Sequence, residues 1–518
     1  MDQSGEDDRL RYTVKWELGH EETTYTLYHG LHSRPDCLAS SKPYRKMPQI
    51  DYHPSDARLL PAPLGHPATI VWETQLVPAL RRMLDRLSVT RAVLHLVRIE
   101  RPINSSMGWD PENYLTEIIV WIGVDRDTAP ELASGLVAGT LAEVQILGLE
   151  DVECEVFTSR TIPLVGPAFR DDAYKYLSDE AQEVAQQFGV GVCLDITPHG
   201  SQVQGTGGVF IKLAGRPGTY LLTCQHLLDD DPHAERLIDG PRTGAWVSLC
   251  TDSSFGKHLE SLTRARRIQE YRLQRHERVL QNASEETGAG CVKDQPDHRI
   301  LGQAVSYRPV EVLVPGEETD GTSPPVARQE LGWELDWGLV ELDEVKLGEE
   351  LDHWDGSKRN RVFVGWRTLR GSGGMLPRSF DGDAVPITSI VSLCETGETE
   401  IPVFKRGAGT GLTSGVINPV RSILRDRRMQ SGQMQVVDTW EICAMARPPP
   451  IFSDDPNKAF CAPGDSGSIV VGMDGRAIGM ITRGFAGHSD RCDMGCVTPL
   501  DLIFEDMTRR YGLEASLA

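Results

Sequence analysis

From about residue 190 to residue 500 the chain is a succession of short apolar segments separated by clusters of Gly, Pro and Asp. Segments of that length bury themselves as strands, so this region predicts an all-β sandwich or barrel. One stretch breaks the texture. Residues 257–280, "KHLESLTRARRIQEYRLQRHERVL", hold seven Lys or Arg against three Glu and contain no Gly or Pro. They predict a basic helix inserted in a loop, with bounds near 257–285. Its plain reading is a solvated surface helix; its sharper reading is a docking helix for an acidic partner protein or for the chain's own acidic surface.

The first part of the chain reads differently. Residues 1–60 are polar and Pro-interrupted, an irregular segment with one strand near Tyr12 to Leu18. Residues 61–165 predict an α+β unit. "ATIVWE" (68–73) suits a strand, and Leu80, Met83, Leu84 and Leu87 fall at the spacing of an amphipathic helix. "AVLHLVRI" (92–99) and "LTEIIVWIGV" (115–124) read as strands, with His95 as a packed core residue. Thr128 as N-cap and Pro130 in the first turn predict a helix over 130–146. "DVECEVF" (151–157) alternates as a strand with one solvated face. The resulting β-α-β-β-α-β order is that of ferredoxin-like, split-βαβ domains, and the unit reads most simply as a regulatory module or a binding site for a partner protein. Tyr174, Leu177, Ala181, Val184 and Phe188 mark a connector helix within 166–189. A cleavable boundary is therefore expected between about 160 and 190, with a soluble fragment from about 185 onward.

With 518 residues, more than one domain is expected. A formal charge of −22 argues against a nucleic-acid-binding surface, which needs clustered cations. The start of the chain has no apolar signal region, and no stretch approaches about 18 uninterrupted apolar residues, so neither secretion nor a membrane span is expected. Eleven scattered cysteines suit a reducing, cytoplasmic setting. Cys492, Cys496 and His488 are close in sequence but lack the spacing of a metal knuckle, so neither metal nor cofactor is expected.

The chemistry centres on "FCAPGDSGSIVV" (460–471). Gly, Asp and Ser are also ordinary turn residues, so Ser466 is a nucleophile only if the chain supplies a base and a group to orient it. His226 ends the apolar strand of "TYLLTCQH", rigidly placed yet able to face a cleft. Asp336, in "LDWGLVEL", stands among apolar residues, where a carboxylate needs a partner. The alternative for Asp336 is the cap of a turn.

The order His226, Asp336, Ser466 resembles that of the chymotrypsin-like serine proteases. "GTGGVFIKL" with "TYLLTCQH" resembles the strands leading to the family's histidine, "DWGLVEL" its aspartate segment, and "GDSGS" its nucleophile loop. "VFKRGAGTGLTSGVI" (403–417) is similar to the hairpin opening the second barrel, "GMITRG" to the substrate-binding strand, and "VTPLDLIFEDM" to the closing helix. The resemblance covers about 190–510. It implies a double barrel and an intracellular endopeptidase acting on a protein or peptide, with Ser466 as nucleophile, His226 as base and Asp336 as orienter. It also implies an oxyanion hole from the amides of Gly464 and Ser466, and a specificity pocket lined by Ala459, Phe460, Thr482, Arg483 and Gly484. Phe460 suggests an apolar pocket; Arg483, pointing inward, would favour an acidic residue instead. In secreted relatives the Asp before the serine pairs with a freed α-amino group. No basic cleavage residue stands near the barrel's start, the nearest upstream being Lys175, so Asp465 is expected to find internal donors. Two other readings stay open: an inactive protease fold serving as a binding module, and an esterase or acyl transferase.

Overall fold

The computed structural model describes residues 28, 30–42, 57–102, 114–167, 194–198, 203–229, 246–249, 300–307, 311–313, 331–342, 360–363, 384–395, 400–430, 433–446 and 459–518. The strand near Tyr12, the body of the connector helix and the basic helix of 257–285 lie outside them. Among the described residues no helix is long and apolar enough to cross a membrane.

The short apolar segments do form strands. Ile401–Gly407 pairs with Gly411–Ile417, which pairs with Gln433–Ala446, then Met494–Pro499, Arg476–Ala486 and Ile469–Gly472, and the last returns to Ile401–Gly407. These six strands close a circuit and leave no edge between them. Ile469–Gly472 is buried at every position, which is why it reads as an unbroken apolar run. A second, nine-stranded sheet contains Tyr220–Thr223 next to Gly338–Leu342 and ends at Val203–Gly207 paired with Gly166–Pro167. One apolar cluster takes Leu222 and Trp337 from that side and Val403, Ile469 and Ile481 from the closed circuit. The seam between the two is therefore packed core, and the loops bearing His226, Asp336 and Ser466 meet there.

The helix Leu500–Tyr511 ends at Gly512, whose φ of 63° supplies the left-handed stop. The chain then returns as Ala515–Leu517, pairing with Phe210–Leu213.

The N-terminal elements depart from expectation in three ways. "ATIVWE" is helical, part of a continuous helical segment formed by Pro67–Val71, a π turn at Trp72–Leu76 and Val77–Arg86. Its buried residues Ala68, Trp72, Leu76 and Leu80 recur every fourth position, while Ile70 is 68% exposed. A period near 3.6, hidden by β-branched neighbours, won over local propensity. Second, residues 1–60 are not wholly irregular: Cys37–Ser40 is a strand, and Arg58–Pro61 begins another. Third, the β-α-β-β-α-β order survives with Arg58–Pro61 as first strand, but the pairing is not the split one. Tyr114–Val124 lies directly beside its parallel partner Val152–Thr158, with no strand inserted between them. The Pro130–Ile146 helix is preceded by Ala129 as N-cap, without the side-chain cap expected of Thr128.

The change of sequence texture near 165 is not a break in the sheet. Ala92–Pro102 pairs antiparallel with Ser422–Gln430, so N-terminal and C-terminal strands share one sheet. Leu94 and Leu96 pack under the helices. Val93, Val97 and Ile99 point the other way, into a cluster with Leu424, Cys443, Met445, Phe485 and Met494. This strand is apolar on both faces because both are covered. His95 is buried between them, its ring against Phe485. A fragment from about 185 onward would bare that cluster and an unpaired strand edge. In place of the soluble fragment, we expect this fragment to aggregate. Gel filtration of a monodisperse, cooperatively melting fragment would contradict the shared core.

Candidate active site

Cys224 has extended backbone after the Tyr220–Thr223 strand, and the chain then turns through the single-turn helix Gln225–Leu228. Asp336 lies between Gly332–Leu335 and Gly338–Leu342. Because Gly338 is the cross-strand partner of Thr223, strand pairing alone carries Asp336 to His226 across 110 residues of sequence.

The structure brings the three expected residues together. Asp336 Oδ2 contacts His226 Nδ1, and Asp336 Oδ1 accepts from the amides of Gln225 (2.8 Å) and His226 (3.3 Å). His226 Nε2 stands 2.8 Å from Ser466 Oγ. With Nδ1–H directed at the carboxylate, Nε2 is left as acceptor for the hydroxyl proton. Ser466 Oγ also lies 3.0 Å from the Thr482 carbonyl, so its single proton has two alternative acceptors. Asp336 and Ser466 are buried, while the His226 side chain keeps 16% exposure. Burial pushes the Asp336 carboxyl up, but the opposing pull of His226, with a contribution from Arg483, holds it below the usual range. It stays a carboxylate. Cys224 is also near, the ligand atoms of Cys224, His226 and Asp336 all lying within 4.8 Å of one another, and burial and the Asp336 charge push its thiol well up.

The loop bearing Ser466 depends on its glycines. Gly464 has φ of 105° and Gly467 φ of 93°. A Cβ on Gly467 would fall 1.8 Å from the Thr206 carbonyl oxygen, which belongs to the strand whose Thr206 amide donates to Ser466 O at 2.7 Å. Gly467→Ala should therefore displace the loop, with a loss of about 1–3 kcal/mol in stability. Denaturation of this variant at wild-type midpoint would contradict the contact.

Asp465 is held from within, as its position demands. Its Oδ2 lies 3.1 Å from Lys405 Nζ and accepts from Thr410 Oγ1 (2.8 Å) and the Ala462 amide (2.9 Å). Its Oδ1 accepts from the amides of Gly409 (2.9 Å) and Thr410 (3.1 Å). Lys405 and Asp465 are both fully buried.

The pocket residues divide. Phe460 is fully buried in the apolar cluster, and a Cβ on Gly484 would meet the Cys492 and Cys461 sulfurs. Arg483 does not face the pocket as a free cation. It forms a fork of two 2.5 Å contacts with Glu334, which also binds Arg428. Burial would lower the Arg483 pKa, but Glu334 and Glu441 keep it well above its ordinary value. Burial, reinforced by the Glu334 charge, raises the Glu441 carboxyl to about 7. An acidic substrate residue therefore finds no open partner in Arg483. Glu334 escaped the sequence reading, although in "GWELD" it stands two residues from Asp336.

Residues 160–167, not among the expected site residues, lie across the site. Arg160–Pro163 pairs antiparallel with Arg483–Ala486, Ile162 opposite Gly484. The amides of Gly464 and Ser466 both donate to the Leu164 carbonyl oxygen, at 2.5 and 3.2 Å. Leu164 is fully buried, in the same apolar cluster as Phe460. Beyond it, Gly166–Pro167 pairs with Val203 and Gln204. Its only sequence signal was the apolar run "IPLV" directly after a strand, which reads equally well as linker.

No family model matches the chain, and no curated protein matches it. Among solved structures, the crystal structure of Rv3671c from M. tuberculosis H37Rv, a serine-to-alanine mutant in an inactive form, is similar over 67% of this chain and 96% of that one, at 13% identity and a TM-score of 0.25. At that score the likeness carries no weight, and the site stands on its own geometry.

Proposed function

We propose that this chain is a serine endopeptidase of the trypsin-like, double-barrel type. Ser466 Oγ attacks a peptide carbonyl, His226 Nε2 takes the proton and later delivers it to the leaving amine, and Asp336 fixes the imidazole and stabilises its protonated form. The amides of Gly464 and Ser466 receive the charge that develops on the carbonyl oxygen. One observation carries the reading. A peptide carbonyl already sits on those two amides, beside a serine hydroxyl hydrogen-bonded to a carboxylate-bound imidazole.

Strand pairing on both sides of that carbonyl favours a peptide over a simple ester as substrate. Cys37, Cys154, Cys224, Cys443, Cys461, Cys492 and Cys496 are free thiols, which supports a reducing compartment. The test is hydrolysis of a fluorogenic peptide ending Thr-Ile-Pro-Leu before the reporter, by wild type and by Ser466→Ala. Turnover by wild type alone supports the endopeptidase. Absence of turnover in wild type favours the inactive binding module. Hydrolysis of acyl esters without the peptide favours the esterase.

A further inference from the structure

Residues 160–167 are placed as an extended substrate would be. The residues before Leu164 form a strand on Arg483–Ala486, and those after Val165 form one on the opposite wall at Val203–Gln204. Between these two anchors the Leu164 carbonyl occupies both oxyanion donors, and the Leu164 side chain is buried in the apolar cluster with Phe460. Four contacts therefore converge on one peptide bond, the one joining Leu164 to Val165.

On the reading of Ser466 as a nucleophile, we infer that the chain is its own substrate and cuts itself between Leu164 and Val165. Ser466 Oγ bonds to the Leu164 carbonyl carbon while its proton passes to His226 Nε2. The C–N bond then breaks, and His226 returns that proton to the Val165 nitrogen, which leaves as a free α-amine. Water attacks the Leu164–Ser466 ester, giving one proton to His226 and its hydroxyl to the carbonyl carbon. Ser466 departs and regains the proton, leaving the Leu164 carboxylic acid, which ionises as its proton passes to the Val165 amine. Nothing but water is consumed.

Holding the bond in place by strands of the same chain removes the entropy of bringing substrate and nucleophile together, a factor equivalent to effective molarities of about 10⁵–10⁸ M in well-oriented systems. The same walls define the substrate class for other chains: a leucine-sized apolar residue on the acyl side of the cut, preceded by Pro and an apolar residue, as in Ile162-Pro163-Leu164. An apolar pocket discriminates against a charged residue at that position because its charge would be buried unpaired. The N-terminal piece stays after the cut, since Ala92–Pro102 remains paired with Ser422–Gln430.

The test is intact-mass and N-terminal analysis of purified full-length protein, with gel filtration and with the fluorogenic peptide assay on the same preparation. The expected result is two chains that co-elute, one ending at Leu164 and one beginning Val165-Gly166-Pro167. Ser466→Ala stays a single chain, Leu164→Met is still cut, and Leu164→Asp is not. A wild-type chain that stays whole yet hydrolyses the peptide overturns self-cleavage and leaves the endopeptidase standing. A chain neither cut nor active overturns both. A cut that persists in Ser466→Ala, or falls at another bond, overturns the inference.

Discussion

Replacing Ser466 with Ala should lower kcat for peptide hydrolysis by about 10⁶, and adding His226→Ala should lower it little further. The reason is the single line of contacts through the site. Ser466 Oγ has its proton acceptor at 2.8 Å in His226 Nε2, and that nitrogen is an acceptor only because Asp336 engages the other ring nitrogen. Once either end of the Ser466–His226 pair is gone, the other has no reaction to serve. The activity left in each variant comes from the Gly464 and Ser466 amides and from substrate binding, which are retained, so a residual rate of about 10³–10⁴ over water is expected. Rates for the two single variants and the double variant decide the point. Losses that multiply would mean that His226 and Ser466 act separately.

Lys405→Met carries the second large effect. Lys405 and Asp465 are both at 0% exposure, so removal of the ammonium strands a carboxylate away from water. Breaking a buried pair at one partner costs about 3–5 kcal/mol. Four hydrogen bonds to Asp465 remain, from Ala462, Gly409 and the amide and hydroxyl of Thr410, which places the expected cost near the lower bound. Function should suffer as well. Asp465 sits between Gly464 and Ser466, the two proposed oxyanion donors, and losing one such donor costs about 10²–10³ in rate. Adding Asp465→Asn to Lys405→Met removes the orphaned charge and should recover much of the stability. Denaturation midpoints and peptide turnover for both variants test this; an unchanged midpoint in Lys405→Met would show that the pair does not hold the loop.

The three residues of the proposed chemistry could be singled out in the sequence because each stands at the end of a short apolar strand: His226 after Tyr220–Thr223, Asp336 before Gly338–Leu342, Ser466 before Ile469–Gly472. A rigid strand end is where local pattern and global placement agree. Asp465 was legible through the cost of burying it, although nothing local identified Lys405, sixty positions away, as its partner. Residues 68–73 were misread because their β-branched side chains suit a strand, whereas the 3.6-residue period appears only when Leu76 and Leu80 are included. The shared sheet was invisible, since no local signal says that Val93 will face Leu424 rather than another N-terminal strand. The segment 160–167 beside Ser466 was hidden for the same reason. Its strand partners lie about forty residues downstream on one side and more than three hundred on the other.

The most direct measurement is fluorophosphonate labelling of the full-length chain with the modified residue located by tandem mass spectrometry. It is made on wild type and on Leu164→Asp, whose charged side chain no longer suits the buried pocket. The expected adduct is on Ser466, absent in Ser466→Ala and strongly reduced in His226→Ala. A reagent that leaves Ser466 unmodified in both chains, or that labels it equally well without His226, would contradict an activated serine at this site.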